Sequence, residues 1–412
     1  MRLKKAKFLL LTVLILLTFF LSNDLELINV EKTSIITAIA VDKEESDYLI
    51  TAQVAVPEAT DTNTENQKAQ LSGKGKTVGE AIKDLGNTSG WFPKLAFCNL
   101  IILGNEIANE NVVKVLDYFA KTLRVQDSAL VVLAEKSGKE ILSLSTPLDN
   151  ISSFAVQKIV LKTIGFDADV SHNDIKTFCT GYYSLNSSSY LPIIKVISAD
   201  NGSGSEGESA DNSSGSSSSS SSPSSSSQGD KAKGSNSDSN NLFDVRTTAL
   251  FKDGKKVGEL NRDLTYTFNA FNASLTGTSL SIPDVPLNDN LANYFITIFD
   301  EKHSFKVTAN EKEVNLDFDL SLYCKITDVD VPGTDDALST NYPLPQPLIE
   351  KTQKMLTENI QNLVEKSIET GCDFLKIKEK LYRYNNSKYS LFKDNYLSKL
   401  NVKINVDVKG PR

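Results

Sequence analysis

The residues whose types could do chemistry are few and scattered. Gly73-Lys74-Gly75-Lys76-Thr77 has the ending of a phosphate-binding loop, in which glycines expose backbone N–H groups and the lysine and hydroxyl hold phosphate and metal. The first glycine of G-x-x-x-x-G-K-T belongs at position 70, which is Gln. The stretch also follows a polar segment instead of a strand, so it reads as a flexible entry to a helix beginning near Val78. His172 and His303 lie in separate halves without metal-ligand spacing and read as surface or capping side chains. Cys98, Cys179, Cys324 and Cys372 form no C-x-x-C pair. Export would make disulfides possible, but the first three each adjoin an aromatic residue, which favours buried thiols. Asp317 and Asp319 alternate with Leu316, Phe318 and Leu320 like the wet face of a strand, and Asp335 and Asp336 sit in a loop. No G-x-S-x-G elbow or S-x-x-K nucleophile stands in a fitting setting. The expectation is a protein without a catalytic, cofactor or metal site.

The elements that would position these residues alternate. Two strand-like runs at 34–41 and 48–56 flank the acidic turn 42–47 as a hairpin. Val78, Ala81, Ile82 and Leu85 share a helical face that Gly86 should end. A buried strand is expected over 94–104, then a helix over 106–123 with Val112, Val115, Leu116 and Phe119 inward, then a strand over 128–135. Weaker helical segments cover 139–144, 151–164 and 173–183. Further on, Asp253-Gly254 between apolar runs is a two-residue hairpin signal. A helix-like 261–271 follows, then alternating strands at 294–298, 303–307 and 314–326. The longest helix runs from Pro347 to about Arg383, with Ile349, Met355, Leu356, Ile360, Leu363 and Ile368 as its apolar side and Glu350–Lys354 as an i,i+4 pair. Val402, Ile404, Val406 and Val408 alternate as a half-buried closing strand. The fold class is α+β: mixed α/β layers with antiparallel hairpins and a long C-terminal helix packed on a sheet.

Two stretches stand outside this pattern. Arg2, Lys4, Lys5 and Lys7 precede residues 8–21, which are apolar except for Thr12 and Thr18, as in a secretory n-region and h-region. The positive end stays inside, so the folded part should lie outside the cytoplasmic membrane. As a helix the run spans about 21 Å, short of the ~30 Å hydrocarbon core, and snorkelling lysines and local thinning can close part of that gap. From 199 to 241 a Ser, Gly, Asn and Asp tract has almost no apolar residue and should be disordered, either as a domain linker or as a loop grown out of one domain. The net charge of −8, with Lys and Arg scattered outside the cluster at Arg2, Lys4, Lys5 and Lys7, argues against nucleic acid as a partner, because phosphate binding needs a clustered basic face.

Read together, the segments resemble one family. "SIITAIAVDKEESDYLITAQVAVPEA" is similar to the opening hairpin of the Ger(x)C family, the C subunit of bacterial spore germinant receptors. "GKGKTVGEAIKDLG" and "KLAFCNLIILGNEIANENVVKVLDYF" resemble its helix–strand–helix continuation, and "TTALFKDGKKVGELN" a later hairpin. "CDFLKIKEKLYRYNNSKYSLFKDNYLSKLNVKINVDVKGPR" resembles its closing pattern, with Tyr396 where the family often has tryptophan. The resemblance implies a non-enzymatic, membrane-anchored subunit of a nutrient germinant receptor. It would act with the integral-membrane A and B subunits in the spore inner membrane, N-terminus inside and folded domains outward. The germinant small molecule would be met only indirectly, and nucleic acid not at all. An envelope-anchored binding or scaffold protein unrelated to germination is the alternative.

The expected organisation is a basic cytoplasmic segment 1–7, an anchor 8–22, an N-terminal α/β domain 23–198, the serine-rich linker 199–241 and a C-terminal α+β domain 242–412, with room for two subdomains in the last. The family's signal peptide typically ends in a lipobox cysteine, and Ser22 occupies that place. Thioether lipidation needs a thiol, so the lipoprotein route should be closed. A cut after Ser22 would put bulky Phe20 where signal peptidase wants a small residue. Retention of 8–21 as an uncleaved anchor remains.

Overall fold

A computed structural model describes residues 11–13, 33–55, 69–122, 125–149, 151–162, 168–198, 241–287, 290–332 and 343–410. Strands β1 (Thr33–Glu44) and β2 (Asp47–Ala55) form the expected antiparallel hairpin, and β3 (Ala69–Gly75) adds to β2. Helix α1 (Val78–Ser89) starts where Thr77 accepts the Glu80 N–H. It passes through Gly86 and ends at Gly90, whose φ of 71° gives the left-handed cap. Gly86 therefore does not end the helix: glycine only lowers helix propensity in an interior, and it terminates a helix where the backbone turns left-handed.

The expected strand at 94–104 is interrupted. β4 (Phe92–Lys94) runs parallel beside Thr33–Ile35, a 3₁₀ turn covers Leu95–Phe97, and β5 (Leu100–Leu103) resumes beside Ala38–Val41. Next come α2 (Asn105–Ala108), α3 (Val113–Thr122), β6 (Leu130–Ala134), α4 (Gly138–Ser143), α5 (Ser152–Lys162), α6 (Ile175–Tyr182) and β7 (Ser188–Ser198). The single helix expected over 106–123 is two, broken between Ala108 and Val113, yet Val112, Val115, Leu116 and Phe119 all point inward as anticipated. β5 and β6 are buried at every position because helices cover both faces. Ile39, Val41, Ile101, Leu103 and Val131 pack under α1, α3 and α6, while Ala38, Ala40, Ile102 and Val132 pack under α4 and α5.

β8 (Asn241–Lys252) and β9 (Lys255–Leu260) complete this sheet, in the order β3-β2-β1-β5-β6-β7-β8-β9 with β4 beside β1. Asp253 and Gly254, both with positive φ (51° and 77°), make the expected tight turn. Ser198 and Asn241 pair directly, so the serine tract, itself outside the described residues, leaves and re-enters the fold at neighbouring points of one antiparallel pair.

α7 (Arg262–Asn269) leads to a second sheet, β10-β11-β12-β13, formed by Ser279–Leu287, Asn290–Ala309, Val314–Asp330 and Leu400–Lys409. The strands expected at 294–298 and 303–307 are one strand, β11, with register irregularities at Phe295/Ile296 and Ile298/Asp300 that hid its continuity. The helix expected from Pro347 to Arg383 is α8 (Gln346–Thr370) and α9 (Ile377–Tyr384), separated at Gly371, which has φ 63°. α10 (Asn386–Phe392) and a 3₁₀ turn (Tyr396–Lys399) return the chain to β13, parallel to β12. Leu356, Ile360 and Leu363 of α8 are buried, Ile349 and Met355 pack partly, and Ile368 is exposed. Glu350 accepts from Gln346 at 2.8 Å, and Lys354 pairs with Glu358 at 3.8 Å instead of the expected partner. β3, β7 and β10 are strands that the sequence pattern does not announce.

Candidate functional site

The most heavily constrained polar group lies where α8 gives way to α9. Gly371 turns the chain out of the helix, and Cys372, Asp373, Phe374 and Leu375 follow it into the core. The Asp373 carboxylate accepts the N–H groups of Ile377 and Lys378, both at 2.8 Å, and so caps α9. The Tyr396 hydroxyl donates to it at 3.1 Å from the turn before β13. Two residues at the start of the first sheet's β7 hold its backbone. Ser188 Oγ accepts the Asp373 N–H at 3.1 Å, and Asn186 Nδ2 donates to the Asp373 carbonyl at 2.7 Å. Lys252 Nζ donates to the Asn186 carbonyl at 2.5 Å, and the Cys372 thiol to the Phe251 carbonyl at 3.2 Å. Burial raises the Asp373 pKa, against the pull of the Lys378 and Ile377 N–H groups, Tyr396 and the Lys252 charge. Burial and the Asp373 charge push the Tyr396 hydroxyl far up, so it serves as a neutral donor.

Beside this knot a cleft of about 1170 Å³ separates α6 and the turn after it from α9. Lys176, Lys376, Lys380 and Arg383 stand among its lining residues with Asp127, Asp174 and Glu379. Several of these are already engaged: Arg383 pairs with Glu379, Asp174 caps α6 by accepting the Thr177 N–H at 2.6 Å, and Lys380 lies over the Phe305 ring at 4.8 Å. Burial, then the neighbouring Lys376 charge, lowers the Lys380 pKa.

Two further carboxylates are buried: Asp169, which pairs with Arg262, and Asp42, which stands at the carboxyl end of β1, the edge where open α/β sheets hold ligands. Asp42 accepts the Gly138 and Lys139 N–H groups at 2.7 and 2.8 Å and so caps α4. Burial raises its pKa against those same hydrogen bonds. A Cβ on Gly104 would lie 2.2 Å from its Oδ1, so the carboxylate fits only because that residue is glycine. Asp42 and Asp373 therefore each hold a helix start, with both carboxylate oxygens engaged by the fold.

The residues singled out in the sequence are not brought together. Gly73 and Gly75 lie in β3, a strand and not a polar loop, and Cβ atoms there would approach Ala81 O and Ala81 N at 2.3 and 2.6 Å. Their lack of a side chain seats α1 on its own edge strand, and Lys76-Thr77 is that helix's entry. His172 is half-buried with its pKa lowered by burial, whereas His303 is exposed on the second sheet, 3.5 Å from Glu301. All four cysteines are free; burial pushes the thiols of Cys98, Cys324 and Cys372 up to about 12 and that of half-buried Cys179 to about 11. Asp317 and Asp319 lie on the outer face of β12, where Asp319 accepts from Ser304 and Asn405, both at 3.3 Å. Among the described residues, no group of three metal-ligating side chains occurs and no helix is long and apolar enough to cross a membrane. Ser22, Asp335, Asp336 and all of 8–21 except 11–13 lie outside those residues. The roles of Asp42 and Asp373 do not show in the sequence: Asp42 opens a run of charged residues that reads as a turn, and the one local signal for Asp373 is its place between Cys372 and Phe374 directly after Gly371.

Two family descriptions match the chain in order. Residues 27–196 match the spore germination protein N-terminal domain, and residues 246–410 match the spore germination B3/GerAC-like C-terminal domain. The crystal structure of the GerBC protein is similar at 14% identity and a TM-score of 0.47, covering 91% of this chain and 97% of that one. No curated protein matches. With both halves matched on either side of the serine tract, the chain belongs to the Ger(x)C family of spore germination proteins.

Proposed function

We propose that this chain is the membrane-anchored C subunit of a nutrient germinant receptor, a non-enzymatic partner of the integral-membrane A and B subunits. The observation that carries the reading is the ordered match of both germination-protein domains, 27–196 and 246–410. Asp42 and Asp373 support it, since both carboxylates cap helix starts and the Asp373 backbone ties the second half to Asn186 and Ser188 of the first. That arrangement suits a body that transmits contacts better than one that turns over a substrate. In this reading residues 8–21 stay as an uncleaved anchor in the spore inner membrane, the N-terminus is inside, and the folded part faces outward. Ser22, lacking a thiol, takes no lipid.

Deleting the gene while the other receptor subunits are still made should abolish germination with at least one nutrient. Normal germination of such spores with every nutrient would sink the reading. The mature chain should keep its N-terminus and take up no labelled fatty acid.

A further inference from the structure

The end of the first sheet where β1 begins carries an exposed apolar rim. Ile35, Trp91, Phe92, Phe97 and Phe154 are 40%, 46%, 40%, 52% and 38% exposed, respectively. They are neighbours through the fold. Phe92 pairs with Thr33 and Lys94 with Ile35 along the parallel β4–β1 ladder. The Lys94 ammonium lies 5.9 Å from the centre of the Phe97 ring. Ser153 Oγ is 3.4 Å from Thr37 Oγ1, which brings the first turn of α5, and with it Phe154, to the same end. Apolar side chains of this size are seldom left together in water without a covering surface.

Charge and chain length indicate what covers them. The protein carries a net charge of −8 and 23% charged residues, yet Lys94 is the sole charged residue from Leu85 to Asn105, and Thr33 to Val41 has none. The strand part of the rim, Ile35 and Trp91 to Phe97, is thus free of the carboxylates that an anionic lipid surface would repel, and its one charge is a lysine that can reach phosphate while its stem lies on apolar surface; beside Phe154 the Asp149 carboxylate is neutralised by Lys158. Residues 22–32, eleven in number, join the apolar run 8–21 to Thr33. Even fully extended they span only about 36–40 Å, so a chain held by that run keeps this rim near the bilayer. Tryptophan, phenylalanine and lysine together are the side chains that settle at the headgroup level.

We propose that this rim docks on the lipid surface itself and sets the first sheet with the start of β1 toward the membrane. The proposal rests on the retained anchor of the preceding reading, and the two are separable in one preparation. Trp91 is the chain's single tryptophan, so its fluorescence reports on the rim alone. The full chain is reconstituted into vesicles of equimolar phosphatidylcholine and phosphatidylglycerol, with flotation reporting retention and Trp91 emission reporting docking. Seating about 5–10 Å into the headgroup–acyl boundary should shift Trp91 emission to the blue and let lipids brominated high on the acyl chains quench it about twofold. Phe92→Ser with Phe97→Ser should lose that quenching while floating as before. Chains that float with Trp91 unquenched and open to aqueous iodide overturn the docking and leave the anchor standing. Chains that neither float nor show quenching overturn both. Quenching unchanged in the double variant, or shielding of Trp91 only when the receptor's membrane proteins are added, also overturns the lipid assignment. If the double variant does not fold, quenching in the parent chain still decides.

Discussion

At the scale of single residues, Asp373 carries the largest obligation. It satisfies two helix N–H groups and a tyrosine hydroxyl without exposure to water. Asp373→Ala leaves those donors orphaned, at about 1–3 kcal/mol each with partial relaxation, so urea denaturation should show a loss of about 3–4 kcal/mol. The pH dependence has a definite sign. Burial raises the Asp373 pKa above 3.8, and a carboxyl raised on folding stabilises the fold fully below its unfolded pKa and loses that contribution as pH rises through the folded value. Asp42 acts in the same direction. Stability measured across the acid range should therefore fall as pH climbs through these raised values, and Asp373→Asn should flatten the fall without removing the share of Asp42. A slope of opposite sign would contradict the burial argument. Tyr396 gives a paired test, since the resembling family often has tryptophan at its place. Tyr396→Phe removes the donor and should cost about 1.5–3 kcal/mol, as expected for a hydrogen bond to a charged group. Tyr396→Trp keeps an N–H donor there and should cost less in the same titration.

At the scale of elements, the position of the serine tract makes a prediction. Its flanking residues Ser198 and Asn241 are already paired, so residues 199–240 close a loop between adjacent strands. Replacing them with a two-residue Asn-Gly turn shortens that loop about twentyfold, which should stabilise the fold by about 2–3 kcal/mol in closure entropy. Calorimetry should show a slightly higher Tm, and a collapse of the transition would mean that the tract contributes contacts of its own. The element pattern also shows what the sequence could convey. The β1–β2 hairpin, the Asp253-Gly254 turn and the inward faces of α1 and α3 were legible because alternation, turn chemistry and helical spacing agree there. The break between α8 and α9 was masked because Ile377 and Leu381 continue an apolar spacing past Gly371, although that glycine is the stop signal. β3 has the composition of a loop because its glycines serve α1, and β10 carries Pro283 and Pro286 in a strand at the edge of its sheet. Asp373 was unreadable as a site for a related reason. Its partners come from positions 186, 188, 377, 378 and 396, which no local pattern connects.

At the scale of the whole molecule, the question is whether the two sheets unfold together. β8 and β9 extend the first sheet, and Leu250, Leu260 and Phe268 share an apolar cluster with Leu316, Phe318, Ile360 and Leu363 of the second. Gly258 of β9 lies so close to α8 that a Cβ there would approach Thr370 at 2.7 Å. Onto this apolar contact the Asp373 knot adds the directional bonds from Ser188 and Asn186, which fix how the second half sits on the first. A chain coupled in both ways should unfold as one unit, with calorimetric and van't Hoff enthalpies equal. Ser188→Ala with Asn186→Ala removes both bonds to Asp373, together with the bonds from Ser188 Oγ to the Asn186 carbonyl and from Ser184 Oγ to Asn186 Oδ1, at about 2–6 kcal/mol for the four, while leaving both cores untouched. If the knot supplies the coupling, the single endotherm should divide in two, with the α8–α10 half melting first because α9 has lost the support of its cap. If the endotherm only moves down as one peak, the apolar cluster alone binds the halves, and the knot sets their orientation without setting their cooperativity.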